Sequence, residues 1–232
     1  MLRSALKRIL PEKAIPLRIL RGPFRGATVC MNPRDSLRKV FGLYEHELNE
    51  WLDQVLTRVD CIIDVGANDG YFTFGCAAAF RRMEKEASIL AFEPQEMSFC
   101  QLEQSLIRQP KSGVAISLHQ QFVGKCDEAA TTTLDSAIDD FARSNGARAM
   151  THALIKIDVE GAELDVIDGA REALYGRHYF LIEVHCQSYL ATLRDRFATA
   201  GRQLIQINQR ALPLIGGEHR SETNCWLVSA LV

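Results

Sequence analysis

The chain has 232 residues, of which 47% are hydrophobic and 24% charged, and its formal net charge is -2. A chain of this length and balance buries a substantial core without disulfides or a structural metal. Its seven cysteines include no Cys-x-x-Cys pair, which disfavours a disulfide framework or a zinc site, and the absence of about 18 consecutive apolar residues excludes a membrane-spanning helix.

The charge is unevenly distributed along the chain. Residues 1–40 carry ten Lys and Arg residues against Glu12 and Asp35, a local charge of +8 that leaves -10 for the remainder. A basic segment of this kind contacts nucleic acid, an anionic membrane or an acidic substrate, or it is a solvated helix and hairpin packed on an acidic domain. The second interpretation is favoured because there is no clear nucleic-acid signature. No apolar segment of a secretory signal follows the basic start, so we expect a cytoplasmic protein.

The first 57 residues predict an extension made of three elements. Apolar residues at helical spacing predict a helix that ends at Pro11, and residues 18–31 predict a β-hairpin around Gly and Pro. Residues 42–57 predict an amphipathic helix, whose inner face would carry Leu48, Trp51, Leu52, Val55 and Leu56. We expect residues 1–57 to pack, as a basic extension, on a core domain of residues 58–232.

Strands and helices alternate from Cys61 onward. The predicted strands are 61–66, 88–93, 115–123, 153–160 and 179–185, and the predicted helices are 71–80, 97–108, 134–143, 161–174 and 188–201. Two final strands, 204–208 and 224–231, have no helix between them and predict an antiparallel pair at the sheet edge. The pattern predicts an α/β fold whose mostly parallel sheet is covered on both faces. Ligands bind such sheets at the carboxyl ends of the strands.

The first motif, at residues 64–71, joins a predicted strand to a predicted helix. Its glycines, Gly66 and Gly70, are spaced G-x-x-x-G rather than G-x-G-x-x-G, and Asp64 precedes them. Backbone N–H groups at a helix N-terminus suit a carboxylate, and an aspartate suits a cation. The motif therefore favours a cationic, amino-acid-like ligand over a pyrophosphate. A glycine-rich turn without a ligand is the alternative.

The second motif ends the next strand. Glu93 lies roughly 20 residues past the glycine loop, where an acid accepts the hydroxyls of a ribose. Pro94 ends the strand and fixes the turn. A carboxylate at a strand end is otherwise a helix cap, but the spacing from the first motif favours ribose binding.

The third and fourth motifs end two further strands. Lys156–Glu163 holds Asp158 and Glu160, which suit a metal or a substrate hydroxyl, whereas Glu163 is interpreted as the acid of a first helical turn. Glu183 and His185 share one side of their strand by alternation. His185 is the histidine that stands out, because it lies at the functional edge of the sheet.

Together these motifs resemble the FkbM family of S-adenosylmethionine-dependent methyltransferases. The matching segments are Asp64–Asn68, Phe92–Pro94, Thr133–Asp135, Lys156–Glu163 and Ile182–His185. Asp69 departs from the family pattern, in which a small apolar residue is more usual, and the segment between Val123 and Thr133 is short. The resemblance implies a class I methyltransferase fold with a seven-stranded, Rossmann-like sheet, and methylation of a hydroxyl on a sugar, glycan or secondary metabolite. The cofactor-binding residues it implies are Asp64, Gly66, Ala67, Asn68, Gly70, Glu93, Pro94 and Phe122.

A hydroxyl is a weak nucleophile, so a base or a metal must assist its methylation. We expect His185 to be the base and Asp158 and Glu160 to orient the hydroxyl or a divalent cation, whose use the sequence leaves open. The expected partner is a small-molecule or glycan acceptor, and homo-oligomerisation is also left open. A nucleotide-dependent oxidoreductase and a non-catalytic cofactor-binding module are the alternative functions.

Overall fold

The computed structural model describes residues 10–145, 152–212 and 224–231. At its start, β1 (Ile15–Arg18) and β2 (Thr28–Met31) pair antiparallel, so the predicted hairpin is present, but its first strand begins at Ile15, before the predicted range of 18–31. The helix predicted before Pro11 lies outside the described residues, apart from Leu10.

The hairpin is followed by α1 (Leu37–Val40), a 3-10 turn (His46–Leu48) and α2 (Asn49–Arg58). The helix predicted from residue 42 therefore begins later than expected. Gly42 and Glu45 have φ angles of 66° and 50°, and this left-handed conformation interrupts an α-helix. All five residues assigned to the inner face are nevertheless buried.

The central sheet has seven strands. Among the described residues after α2, the strands are, in chain order, β3 (Cys61–Val65), β4 (Ala87–Phe92), β5 (Val114–His119), β6 (Phe122–Gly124), β7 (Thr131–Thr133), β8 (Ala153–Ile157), β9 (Tyr179–Val184), β10 (Leu204–Asn208) and β11 (Cys225–Ser229). The order across the sheet is β10-β11-β9-β8-β3-β4-β5, while β6 and β7 form a separate pair. Strands β3, β4, β5, β8 and β9 are parallel, and β11 pairs antiparallel with both β9 and β10. The mostly parallel sheet and its antiparallel C-terminal edge are thus confirmed.

Helices cover both faces of this sheet. They are α3 (Tyr71–Arg82), α4 (Glu96–Leu106), α5 (Leu134–Asn145), α6 (Glu163–Asp168) and α7 (Tyr189–Thr199). One buried cluster joins the sheet to α2, α3, α4 and the hairpin, and a second joins it to α5, α6 and α7. In the described ranges no helix is long and apolar enough to cross a membrane.

The strand predicted over residues 115–123 is wrong in its extent. The structure divides it, because β5 ends at His119 beside the last residue of its partner β4. Phe122–Gly124 pairs instead with Thr131–Thr133. Phe122 lies in the second of these strands and lines a cleft together with residues at the ends of β3 and β4.

The helix predicted over residues 161–174 is also too long, because α6 ends at Asp168. Asp135 explains the break: its carboxylate accepts the N–H groups of Glu172 and Ala173, each at 2.9 Å, and so starts a new turn. A Cβ on Gly169 would lie 2.0 Å from the carbonyl oxygen of Gly124. The chain therefore packs too closely there for a continued helix with side chains.

Candidate active site

A cleft of about 370 Å³ opens where the parallel strands β3, β4 and β8 end. Among the predicted site residues, those that line it are Gly66, Asn68, Glu93, Pro94, Phe122, Asp158 and Glu160. Asp64, Ala67, Gly70 and His185 lie outside this lining. The predicted residues thus converge on one edge of the sheet, with some of them behind the cleft wall.

The glycine loop is clamped between the ends of β4 and β8. The N–H groups of Gly66 and Ala67 both donate to the carbonyl oxygen of Phe92 at 3.0 Å. Gly66 has a φ of 82°, and a Cβ added to it would lie 1.9 Å from the carbonyl oxygen of Asp158. Only glycine fits this conformation and this close approach.

Glu93 ties the loop to the start of α4. Its side chain is buried, Oε2 accepts the N–H of Asn68 at 2.8 Å, and Oε1 accepts the N–H of Gln95 at 2.9 Å. A carboxylate has about four acceptor positions. The N–H groups of Asn68 and Gln95 therefore use two of these positions and leave two others for further donors.

Asp64 lies beneath the cleft rather than on its surface. Its Oδ2 accepts the hydroxyl of Thr73 at 2.5 Å, and its Oδ1 is 3.5 Å from Nζ of Lys156. Burial raises the pKa of Asp64, an effect that the Lys156 charge opposes. Asp64 therefore does not reach the surface of the cleft, and its carboxylate contacts Thr73 and Lys156 instead.

Lys156 links the loop to the third motif. Its Nζ lies 3.0 Å from Oδ2 of Asp158 and donates to the carbonyl oxygen of Gly66 at 3.3 Å. Burial alone would lower the pKa of Lys156, but the Asp158 and Asp64 carboxylates outweigh it and raise that pKa. The ammonium is thus held in its charged form between two carboxylates.

His185 is held by Glu163, which reaches it from the first turn of α6. The distance from His185 Nδ1 to Glu163 Oε1 is 2.6 Å, and the same oxygen accepts the N–H groups of His185 and Gly161. This hydrogen bond is the main reason that the pKa of His185 is raised above its ordinary value. Nδ1 therefore carries the proton of the neutral ring, which leaves Nε2 as an acceptor.

Nε2 of His185 faces two further carboxylates. It is 3.7 Å from Oδ1 of Asp158 and 4.0 Å from Oε2 of Glu183. In the part of the chain that the structure describes, one ligand atom from each of these three residues lies within 4.8 Å of the others. A ring nitrogen with two carboxylate oxygens suits a divalent metal. Glu160, which we paired with Asp158 from the sequence, lies exposed outside this group.

Two residues of this arrangement, Glu163 and Glu183, were not assigned a catalytic or binding role from the sequence. Strand alternation placed Glu183 on the side of His185, which was the available signal for its proximity. Glu163 was interpreted as a helix acid, and it does lie in the first turn of α6. Its contact with His185 spans 22 residues, and no local pattern indicates a contact at that separation.

The fold and the position of the cleft define a class I S-adenosylmethionine-dependent methyltransferase fold. The putative methyltransferase yhhF from Escherichia coli aligns over 93% of this chain and 97% of its own, with a TM-score of 0.52 and 14% identity. The methyltransferase FkbM from Methylobacillus flagellatus KT aligns over 72% of this chain with a TM-score of 0.53 and 19% identity. The alignment spans 43% of that protein, less than half of its length.

The resemblance to the FkbM family is confirmed over part of the chain. The model of the methyltransferase FkbM domain matches residues 106–204. This segment contains three of the five family motifs, Thr133–Asp135, Lys156–Glu163 and Ile182–His185. No curated protein matches the chain by sequence.

Proposed function

We propose that this chain transfers a methyl group from S-adenosylmethionine to a hydroxyl oxygen of a small-molecule or glycan acceptor. The observation that carries the proposal is the position of His185. Its Nδ1 is fixed by Glu163, and its Nε2 lies 3.7 Å from Asp158, a residue of the cleft wall. A base beside a cofactor-sized cleft suits the deprotonation of an acceptor.

The cleft fits the proposed cofactor in size. Its volume of about 370 Å³ lies within the range of small-molecule sites. Glu93, Pro94 and Phe122 would hold the nucleoside, with the ribose hydroxyls on Glu93. Gly66 and Asn68 would hold the methionine end, on the side of the cleft wall that Asp158 also lines.

The charges around the cleft also suit the proposed cofactor, which is cationic at its sulfonium. Two carboxylates, Asp64 and Asp158, surround the single ammonium of Lys156. The excess negative charge favours a cationic ligand. S-adenosylmethionine supplies a methyl group on a cationic sulfonium, so Asp64 would assist from beneath the cleft.

The residues then act on the acceptor. S-adenosylmethionine would supply the methyl group, and Nε2 of neutral His185 would accept the proton that the hydroxyl loses. Glu163 fixes the ring and stabilises the imidazolium ion that results. Asp158 orients the hydroxyl. Most of the rate enhancement would come from holding the two reactants in line.

A divalent cation is the second way to activate the hydroxyl. Asp158, Glu183 and His185 offer suitable ligand atoms within 4.8 Å. A metal ion bound to Nε2 would prevent that nitrogen from accepting the hydroxyl proton. His185 is therefore either a metal ligand or the base, and removal of the metal distinguishes the two roles. Loss of activity in EDTA, with recovery on adding Mg²⁺ or Mn²⁺, would favour the metal. Activity that EDTA leaves unchanged would favour the base.

His185→Gln tests the base role. We expect kcat to fall by about 10²- to 10⁴-fold while S-adenosylhomocysteine affinity stays near the parent value. The assay is transfer of a labelled methyl group to a panel of hydroxylated acceptors. A folded, cofactor-binding variant that keeps more than about a tenth of the activity would exclude the base role.

The alternative functions are separated by binding measurements on the parent protein. Titration with S-adenosylhomocysteine and with NADH distinguishes a methyltransferase from an oxidoreductase. A non-catalytic module would bind S-adenosylhomocysteine and methylate none of the hydroxylated acceptors.

A further inference from the structure

Asp69, the residue that departs from the family pattern, is paired with a lysine of the N-terminal extension. Nζ of Lys39 lies 2.5 Å from Oδ2 of Asp69, and the two side chains are 16% and 13% exposed. The ammonium also lies 5.0 Å from the ring centroid of Tyr44 and 5.4 Å from that of Tyr71. Two aromatic faces and a carboxylate thus hold the Lys39 charge in one place.

The other oxygen of Asp69 is engaged by the helix that follows the loop. Oδ1 accepts the N–H of Tyr71, the first residue of α3, at 3.1 Å. Asp69 therefore stands between Asn68, which lines the cleft, and the N-terminus of α3. Its carboxylate is part of the loop assigned above to the methionine end of the cofactor.

A carboxylate at this position opposes the binding of an anionic group. The methionine end of the proposed cofactor carries a carboxylate that the N-terminus of α3 favours. An unneutralised Asp69 would repel it, and the partly buried site would screen the repulsion only weakly. Lys39 supplies the compensating charge.

We propose that Lys39 is a positioning residue that acts through Asp69. By neutralising Asp69 it allows the glycine loop to accept a nucleoside ligand that bears an amino-acid carboxylate. The inference rests on the proposed function, since it takes the glycine loop as the cofactor loop. It assigns a binding role to the basic N-terminal extension.

The test compares two probes on three variants. S-adenosylhomocysteine carries an amino-acid group with a carboxylate and an ammonium, whereas 5′-methylthioadenosine has the nucleoside and the thioether without either; loss of the Lys39 charge would disfavour only the carboxylate. Lys39→Met should weaken S-adenosylhomocysteine binding by about tenfold and change 5′-methylthioadenosine binding by less than about twofold. Asp69→Asn keeps the acceptor for Tyr71 N–H and should not weaken either probe. Adding Asp69→Asn to Lys39→Met should restore S-adenosylhomocysteine binding to within about threefold of the parent.

Lys39→Arg is the matched control, because it keeps the charge and should bind S-adenosylhomocysteine within about threefold of the parent. If Lys39→Met does not fold, Lys39→Gln replaces it, and the ratio of the two affinities is compared within each variant.

Each contrary outcome has a separate meaning. A parent protein that binds neither probe contradicts the proposed function, and it contradicts the inference as well, because the inference rests on that function. A parent that binds S-adenosylhomocysteine while Lys39→Met leaves or raises its affinity overturns the inference alone. A double variant that stays weak, or equal losses for both probes, also overturns it, because neutralisation of Asp69 would then not be the role of Lys39.

Discussion

Among single residues, Glu93 combines a structural contact with a proposed binding role. It accepts the N–H groups of Asn68 and Gln95, and it is the proposed ligand of the ribose. Glu93→Ala should weaken S-adenosylhomocysteine binding by about 1.5–3 kcal/mol, the typical contribution of a hydrogen bond to a charged group. Its melting temperature should also fall, because the N–H groups of Asn68 and Gln95 lose their acceptor. Glu93→Gln keeps the shape and one acceptor oxygen, so its melting temperature should fall less. A folded Glu93→Ala protein that binds as tightly as the parent would place the ribose elsewhere.

Glu163 sets the proton affinity of the proposed base. The hydrogen bond from Glu163 raises the pKa of His185 above 6.5, so the rate should rise with pH through that raised pKa, as the ring becomes neutral. Glu163→Gln removes the carboxylate charge, which lowers the pKa of His185 and moves the inflection of the pH–rate profile to lower pH. The limiting kcat should fall at least about tenfold, because a neutral amide stabilises the imidazolium ion less than a carboxylate does.

A matched control for Glu163 lies in the same helical turn. Asp165 is exposed on α6, so Asp165→Asn should leave the pH–rate profile unchanged. An inflection that stays at the parent pH in Glu163→Gln would mean that His185 is not the titrating group.

The glycine loop is the element whose shape positions the site. Gly66→Ala should abolish measurable S-adenosylhomocysteine binding, because its Cβ would lie 1.9 Å from the carbonyl oxygen of Asp158. Gly161→Ala is the control, since Gly161 has a φ of 91° with nothing within 4 Å of the added Cβ. It should cost only the backbone strain, about 1–2 kcal/mol of unfolding free energy. Equal effects of the two substitutions on binding and on thermal unfolding would contradict the steric argument.

Elements with strong local patterns could be predicted from the sequence. Continuous apolar strands such as β3 and β8 and amphipathic helices such as α4 and α7 have their expected places, because burial sets the spacing of their residues. The errors lie where a distant group intervenes. Asp135 ends α6 early, although an apolar pattern continues to Leu174.

The sequence likewise predicted the location of the candidate site, but it did not predict the contacts between its residues. Residues at strand ends could be assigned to one edge of the sheet, because parallel strands all end there. The contacts between Glu163 and His185 and between Lys39 and Asp69 span 22 and 30 residues. These contacts depend on tertiary packing, which a single local motif does not determine.

At the scale of the whole molecule, we propose that the N-terminal extension and the core domain unfold as one unit. Leu48, Leu52 and Leu56 of the extension are buried in the same cluster as Phe74 of α3. Trp51 is 7% exposed, and its Nε1 donates to the carbonyl oxygen of Ser229 at 3.0 Å. Ser229 ends β11, so α2 is attached to the antiparallel edge of the sheet.

Substitutions at Trp51 test this cooperativity. Trp51→Ala should lower the unfolding free energy by about 3–5 kcal/mol, through lost packing and an unpaired carbonyl group. Trp51→Phe keeps most of the ring and loses the N–H donor, so it should cost less. Denaturant unfolding followed by far-UV circular dichroism and by bound S-adenosylhomocysteine should give one shared transition in both variants. The contrary outcome is a first transition that unfolds the extension and leaves S-adenosylhomocysteine binding intact. Residues 58–232 would then be stable without the extension and without the contact between Trp51 and Ser229.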